Sequence, residues 1–335
     1  NLDTVERVEV VVGPSSLYQQ ANTLAATINV ITRDIDGTEV VFSSGSDLPY
    51  AASLMSGKRW DEDRFISFSF STERRDGFDA WDPIFRPGLA GGEETGELRW
   101  PSIFSVLHGQ VGEWRAQATA YRAELPELLI NNGHPDNSAE SVDEIYSLFV
   151  ENDHAWCEDL EGVTRLSASY KETSRTNADG PPVPTTGLEQ SISQWDYTAE
   201  LGLRYRGIDR HFVQAGIQGS YEDNADSYYT FNLERFTLVD EDTQAVGVFA
   251  SDVYQHSERT KLIAGLRADY NTLLDDGDWH WGGRAAVITR PMETWVTKLV
   301  YNRSVRMPSP LAALNEAWGA DKPDAPSFAN LSPNA

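Results

Sequence analysis

The chain has 335 residues and a formal net charge of −25, from 27 Lys and Arg residues against 52 Asp and Glu residues. This length suits one large β-domain or two smaller domains, and so acidic a chain is a poor partner for nucleic acid, whose phosphates would repel it. Mean hydropathy is −0.44, and no stretch approaches the roughly 20 apolar residues of a membrane-spanning helix. A helical membrane protein is therefore excluded. A membrane β-barrel is not, because only half of the residues in its strands face lipid.

Aromatic residues and cysteine give two further hints. The 10 Trp and 13 Tyr residues are many for so polar a chain. Aromatic belts at the two surfaces of a bilayer would explain them, and so would a soluble glycan-binding protein. Cys157 is the single cysteine, so no disulfide can form within the chain. This suits a barrel exported through an oxidising compartment.

The first predicted elements are two short strands over residues 5–12 and 26–33, both rich in β-branched residues. Alternation of Val8 and Val10 with Arg7 and Glu9 predicts a strand with one buried face. A Gly-Pro pair at 13–14 ends that strand, because Pro lacks an amide donor and Gly tolerates unusual backbone angles. An ordinary hairpin in a soluble β-domain is the alternative.

From Thr38 onward, apolar and polar residues alternate in repeated segments of about 9–13 residues, which is enough to cross a bilayer at a tilt. We expect roughly thirteen such strands. The clearest segments lie at residues 66–71, 114–120, 165–171, 213–221, 261–270 and 279–287. Aromatic residues at the strand ends suit membrane interfaces, with Trp114 and Trp295 on one side and Tyr170, Tyr270 and Tyr301 on the other.

The connections between these segments alternate in length. Short polar turns are predicted near residues 61–63, 109–113, 206–210, 256–260 and 290–293, and longer polar loops near residues 75–100, 124–142, 173–191 and 224–242. Short periplasmic turns and long external loops are typical of outer-membrane barrels. A soluble β-sandwich is the alternative, but its strands are shorter and its loop lengths do not alternate regularly.

The N-terminal segment resembles the end of the plug domain of TonB-dependent outer-membrane receptors. The family pattern has an I-E-R-I-E-V strand, a G-P turn, a Leu-Tyr pair and a V-I-N-I-I-T strand. The residues that follow this pattern in order are Glu6, Arg7, Glu9, Gly13, Pro14, Leu17, Tyr18, Asn22, Ile28, Asn29, Ile31 and Thr32. Residues 245–252 with 262–270, and residues 299–310, resemble two barrel segments of the same family.

This resemblance implies an all-β fold, with the C-terminal part of a plug domain at residues 1–35 and a partial antiparallel transmembrane β-barrel at residues 36–335. The barrel part would hold about 13 of the family's about 22 strands. The chain begins without Met and ends in a loop-like tail. We interpret it as an interior fragment that lacks the signal peptide, the energy-coupling box and the last barrel strands.

The resemblance also implies site residues. The plug carboxylates and arginine, Glu6, Arg7 and Glu9, would form ion pairs with the barrel wall. Arg267 is a predicted wall partner, because alternation places it on the lumen side. The same holds for Arg115, Arg165 and Arg284. The plug motif itself would use Gly13, Pro14, Tyr18 and Asn29.

Several other candidates are weaker. Trp81, Asp82 and Phe85 in the first long loop, and Trp318 in the last, suit a ligand-binding lip, although they equally suit loops that fold on themselves. Asp153, His154, Cys157 and Glu158 form the densest group with metal-capable side chains, but a zinc site wants four ligands at defined spacing. We therefore expect a solvated turn at residues 153–158. The acidic stretch over residues 136–161 could hold calcium, but we expect a hydrated acidic loop. We expect no metal or cofactor.

The function that the resemblance implies is active import of a scarce ligand, most often a ferric siderophore or another metal chelate. The expected partners are that ligand, outer-membrane lipid and lipopolysaccharide, and a TonB-type energy-transducing protein. The expected location is the outer membrane of a Gram-negative bacterium. No catalytic motif is present, so no enzyme is expected. The alternatives are a passive porin or structural barrel, a barrel enzyme and a soluble glycan-binding β-protein.

Overall fold

A computed structural model describes residues 4–12, 26–33, 35–45, 50–76, 99–128, 138–177, 189–224, 227–231, 234–239, 242–272 and 279–303. These ranges hold seventeen β-strands. They are β1 (Val5–Val12), β2 (Ala26–Thr32), β3 (Gly37–Ser43), β4 (Tyr50–Asp61), β5 (Arg64–Asp76), β6 (Arg99–Val111), β7 (Trp114–Leu128), β8 (Ser138–Cys157), β9 (Leu160–Asn177), β10 (Glu189–Tyr205), β11 (His211–Asp223), β12 (Ser227–Phe231), β13 (Glu234–Val239), β14 (Thr243–Ser257), β15 (Thr260–Asn271), β16 (His280–Met292) and β17 (Trp295–Arg303). Within the same ranges, no helix is long and apolar enough to span a lipid bilayer.

Strands β1 and β2 form a two-stranded antiparallel sheet of their own. Their register places Glu9 opposite Asn29 and Val8 opposite Val30, with an irregularity between Val5 and Arg7. The two strands predicted at the N-terminus are therefore confirmed. β-branched residues suit a pleated surface of this kind, because their side chains pack well against cross-strand neighbours.

All the other strands belong to one antiparallel sheet. Its main path runs from β3 to β11 and on through β14 to β17 in chain order, which makes thirteen strands, as expected from the alternation. The hairpin of β12 and β13 leaves this path and pairs with the start of β10. Among the described residues, no pairing joins β3 with β17, so both are edge strands.

The connections alternate in length along the main path. Turns at residues 62–63, 112–113, 158–159, 206–210, 258–259 and 293–294 lie at one end of the sheet, and the longer connections lie at the other. The predicted alternation is confirmed. The predicted hydrated loop over residues 136–161 is wrong, because β8 fills most of it. The carboxylates of Glu151 and Asp153 there alternate with Val150 and Asn152, so one strand face is acidic and the segment has a strand pattern.

The two faces of the large sheet differ in character. Leu148 lies opposite Ala118 and Ala168 in the register, and apolar side chains of this kind are exposed on the face that we call the apolar face. The opposite face, here the polar face, holds covered polar side chains. They include Ser67, Ser69, Ser71, Glu200, Arg267 and Asp269. A soluble protein shows the reverse arrangement, whereas a membrane barrel has an apolar exterior and a polar interior.

Candidate functional site

Two bands of aromatic side chains border the apolar face. The band at the short turns holds Trp60, Trp114, Trp156, Tyr205, Tyr254 and Trp295, and the band at the long connections holds Tyr146, Tyr170, Trp195, Tyr197, Tyr221, Tyr270 and Tyr301. In the second band, the ring centroids of Tyr146 and Tyr170 lie 6.4 Å apart and those of Tyr170 and Trp195 lie 5.0 Å apart. The predicted interface aromatics are thus on opposite sides, as expected.

The spacing of the two bands fits a bilayer. Trp156 lies at the short-turn end of β8 and Tyr146 lies near the middle of this long strand. The ten residue steps from one to the other span roughly 33 Å at about 3.3 Å per residue. A strand tilted by about 40° carries that length across a band about 25 Å tall, which is the apolar height of an outer-membrane barrel. The polar face of the same strands would then line the interior.

A network of charged side chains crosses this polar face from β7 to β10. Its members are Arg115, Glu151, Asp153, Glu161, Arg165, Glu200, Arg204 and Arg206. The guanidinium of Arg165 lies between Glu151 and Glu200, at N–O distances of 2.6 and 2.9 Å. The side chains of these two carboxylates are only 12% and 11% exposed. We call this set the charge network. It contains four guanidiniums and four carboxylates, so its charges balance within the wall.

The rest of the charge network lies nearer the short turns. Arg204 contacts Glu161 at 2.5 Å and Asp153 at 3.7 Å, while Arg206 contacts Glu161 at 3.3 Å. Arg115 contacts Asp153 at 3.1 Å. The sequence placed Arg115 and Arg165 on the lumen side, and the structure places them on the polar face with carboxylates of the wall as neighbours.

Arg267 lies on the polar face of β15 and is 7% exposed. Its Nε donates to both carboxylate oxygens of Asp269, at 2.8 and 3.0 Å, and its Nη2 donates to the amide oxygen of Gln218 at 3.1 Å. Gly247 on β14 leaves room for this arrangement, since a Cβ there would collide with the guanidinium. Arg267 is therefore held against the wall by its neighbours on β11 and β15.

A polar cluster on the β1–β2 hairpin is formed by Glu6, Arg7, Glu9 and Asn29. Arg7 donates to Glu6 at 3.0 Å and to Glu9 at 2.9 Å, and Asn29 donates to Glu9 at 3.4 Å. The hydrogen bond from Arg7, followed by that from Asn29, lowers the pKa of the Glu9 carboxyl below its ordinary value. Ion pairs between this cluster and Arg267 stay a prediction. Gly13, Pro14, Tyr18, Trp81, Asp82, Phe85 and Trp318 lie outside the described residues.

The connection from the hairpin to the sheet holds contacts that the sequence pattern did not predict. Arg33 contacts Glu39 of β3 at 3.0 Å, and the backbone amide of Arg33 donates to the carbonyl of Thr4 at 2.9 Å. Ile35 passes directly over Gly57 of β4, where a Cβ would collide with the Ile35 carbonyl oxygen. A glycine inside a strand is the one sequence signal of such a close backbone approach.

The group at residues 153–158 does not converge on one point. Asp153 faces Arg115 on the polar face, whereas His154 lies on the apolar face with its Nδ1 2.6 Å from a carboxylate oxygen of Glu113. Successive residues of a strand point to opposite faces, which separates these potential ligands. Across the part of the chain that the structure describes, no three His, Cys, Asp or Glu side chains are grouped to hold a metal ion.

Several solved structures of receptors and transporters resemble this chain in fold. The copper transporter OprC is 15% identical with a TM-score of 0.65, over 92% of this chain and 52% of that chain. The FrpB iron transporter from Neisseria meningitidis is 16% identical with a TM-score of 0.66, over 94% of this chain and 55% of that chain. A mutant of the ferric enterobactin receptor PfeA from Pseudomonas aeruginosa is 15% identical with a TM-score of 0.63, over 91% of this chain and 49% of that chain.

The chain spans about half the length of these solved structures, and at this identity the likeness shows the fold. No curated protein sequence matches the chain. The family model described as TonB dependent receptor-like, beta-barrel, matches residues 59–334. Because this match covers most of the chain, the protein belongs to the TonB-dependent receptor-like β-barrel family, and its large sheet is part of the wall of such a barrel.

Proposed function

We propose that the protein, at full length, is a receptor in the outer membrane of a Gram-negative bacterium that actively imports a scarce ligand. The ligand that we propose is a ferric siderophore or another metal chelate. A TonB-type protein of the inner membrane would supply energy by pulling on the plug. The observation that carries this proposal is the β1–β2 hairpin, whose connection to the wall passes over the polar face at Gly57. A passive pore has no use for a segment held over its polar face, whereas a gated receptor requires such a segment.

The matched structures support the ligand class. Their names describe a copper transporter, an iron transporter and a ferric enterobactin receptor. The family is one of receptors and transporters, and we propose neither a catalytic activity nor a resident cofactor. Outer-membrane lipid would contact the apolar face between the two aromatic bands, with lipopolysaccharide on the side of the long connections.

Residue roles follow from this proposal. Residues 1–35 would be the end of the plug, and residues 36–335 the barrel part. Glu6, Arg7 and Glu9 would hold the resting plug through ion pairs with wall cations such as Arg267. The plug motif at Gly13, Pro14, Tyr18 and Asn29 would shape its turn. The loops with Trp81, Asp82, Phe85 and Trp318 would contact the incoming ligand.

Iron uptake tests the proposal. The full-length protein would be produced in a strain that lacks its own ferric siderophore receptors, and uptake of radioactive iron from a panel of ferric siderophores would be followed. We expect uptake of at least one chelate, and we expect a protonophore to abolish it. Deletion of residues 5–33 should abolish this energised uptake and increase entry of large antibiotics. Uptake that survives the protonophore, with unchanged permeability after the deletion, would support a passive porin instead.

A further inference from the structure

Among the described residues, four cations without carboxylate partners lie together at the short-turn end of β15–β17, three of them on the polar face and one in the turn before β15. They are Arg259, Lys261, Arg290 and Lys298, and we call them the basic patch. The backbone amide of Arg290 donates to the carbonyl of Arg259 at 2.8 Å, so these two residues are direct cross-strand neighbours. Lys261 and Lys298 both lie opposite Ile288, one on either side of β16.

Alternation along the strands places three of the four patch residues on the polar face. Thr260 and Thr289 share a hydrogen bond at 3.1 Å and have the same parity as Leu262 and Val287 on the apolar face. Arg259 lies in the two-residue turn before β15, and its backbone hydrogen bond with Arg290 places it beside that residue. Arg290 follows Thr289 within β16 and therefore points the other way. The same argument places Lys261 beside Leu262 and Lys298 beside Leu299. Strand spacing and rise bring the four positions within an area of roughly 10 Å by 7 Å.

The basic patch differs from many other cations of this wall, which have carboxylates within 4.0 Å. These paired cations include Arg64, Arg115, Arg122, Arg165, Lys171, Arg204, Arg206 and Arg267. Among the described residues, none of the four patch side chains has such a contact, although the chain carries 52 acidic residues. Like charges directly opposite each other destabilise a sheet. A local rule broken in this way is typical of a functional site.

We propose that the basic patch binds a small polyanion that bears carboxylate or phosphate groups. Two guanidiniums match such groups in bidentate fashion, and two ammonium groups add point charges. In outer-membrane barrels the short turns face the periplasm. The patch would therefore be the last contact of an anionic ligand before it leaves the lumen. This role rests on the import function proposed above, whereas the anion site itself does not.

The charges elsewhere on the polar face favour this direction of movement. Toward the long connections, the described part of the polar face carries five carboxylates against three cations. The carboxylates are Glu73, Asp143, Asp196, Glu222 and Asp269, and the cations are Lys171, Arg267 and Arg284. The charge network in the middle is balanced, and the basic patch is positive. An anion inside the lumen therefore meets a potential that draws it toward the short turns.

Binding of inorganic pyrophosphate to the full-length protein in neutral detergent tests the patch. The variant is R259Q/R290Q, and the charge-matched control is R64Q/R122Q, which removes two paired arginines from the apolar face. We expect the variant to bind pyrophosphate about tenfold more weakly or worse, since charged hydrogen bonds are lost, while the control stays within about twofold of the parent. K261Q/K298Q should give a smaller loss.

Two results would contradict the proposed anion site. One is equal affinity of the parent and of R259Q/R290Q for pyrophosphate. The other is an equal loss of affinity in the control R64Q/R122Q, which would indicate a general charge effect. The measurement is repeated in vesicles of phosphatidylcholine with and without phosphatidylglycerol. Competition by phosphatidylglycerol would assign the patch to lipid headgroups and overturn the exit site. Pyrophosphate binding needs no energised import. The proposal of an anion site can therefore be refuted while the proposal of iron uptake stands, and iron uptake can be refuted while the anion site stands.

Discussion

Single residues of the hairpin show how local charge fixes a pKa. Arg7 donates to Glu9 on its own strand, and Asn29 donates to the same carboxylate from the other strand. Both hydrogen bonds favour the ionised carboxylate, and that of Arg7 is the larger cause of the lowered pKa of Glu9. A carboxyl with a lowered folded-state pKa contributes stability above its unfolded value and loses it as pH falls through the folded value.

The prediction is therefore that the Arg7–Glu9 contact supports the hairpin at neutral pH and is lost in acid. NMR titration of carboxyl carbons in the full-length protein should show Glu9 below the ordinary value of about 4.3. In the Arg7→Gln variant, the pKa of Glu9 should rise toward that value. High salt should weaken the difference, because this pair is exposed and screened. Identical titration of Glu9 in both proteins would contradict the prediction.

At the scale of elements, the connection between β2 and β3 is held at fixed points on the wall. Its carbonyl at Ile35 lies against Gly57, Arg33 contacts Glu39, and the backbone amide of Arg59 donates to Asp36 at 3.4 Å. Gly37 then turns the chain into β3 with a φ of 113°, a conformation that suits glycine. These contacts hold the chain between β2 and β3 against the wall.

Gly57→Val should displace this connection, because its side chain would occupy the space of the Ile35 carbonyl. Overpacking of this kind costs about 1–3 kcal/mol, so we expect a lower thermal unfolding midpoint and faster proteolysis between β2 and β3. Gly219→Val is the matched control, since the nearest atom to a Cβ there lies 4.0 Å away. Equal behaviour of the two variants would argue against a fixed connection.

The charge network joins four strands, and its centre is Arg165. Arg165→Met would leave Glu151 and Glu200 without their shared cation, although both are largely covered. An unsatisfied covered charge costs about 1–3 kcal/mol or more. We expect a lower denaturant midpoint for this variant, and partial recovery when Glu200 is also replaced by Met. The exposed pair of Arg64 with Asp61 is the comparison, where Arg64→Met should shift the denaturant midpoint much less, because solvent screens this pair.

At the scale of the whole molecule, much of the fold follows from alternation in the sequence. Leu166 beside Arg165 already predicts a strand with two different faces, and the lengths of the connections predict the two ends of the sheet. The partners on the polar face do not follow, because they depend on register: Arg165 meets Glu200 35 residues away. The acidic composition of β8 hid its strand pattern, and only the fold shows that Ile35 lies over Gly57.

Contact of the apolar face with lipid is the main prediction for the whole molecule, because an apolar exterior suits lipid and not water. Leu201 lies on this face of β10, midway between Tyr197 and Tyr205 in the two aromatic bands, and is 57% exposed. In water, Arg at so exposed a position would be harmless. In a bilayer, an outward-facing Arg near the midplane costs about 2–4 kcal/mol. Leu201→Arg should therefore lower the folding stability of the full-length protein in phosphatidylcholine vesicles by that amount.

Thr198→Arg is the matched control for this prediction, because it adds the same charge to the same strand on the polar face. Its side chain would point into the interior beside Ser167 and Ser220, where water and polar groups can solvate it. We expect a change below about 1 kcal/mol for this control, measured by urea titration of tryptophan fluorescence in the same vesicles. If Leu201→Arg were as well tolerated as Thr198→Arg, the apolar face would not contact lipid, and the assignment of the two faces would be reversed or lost.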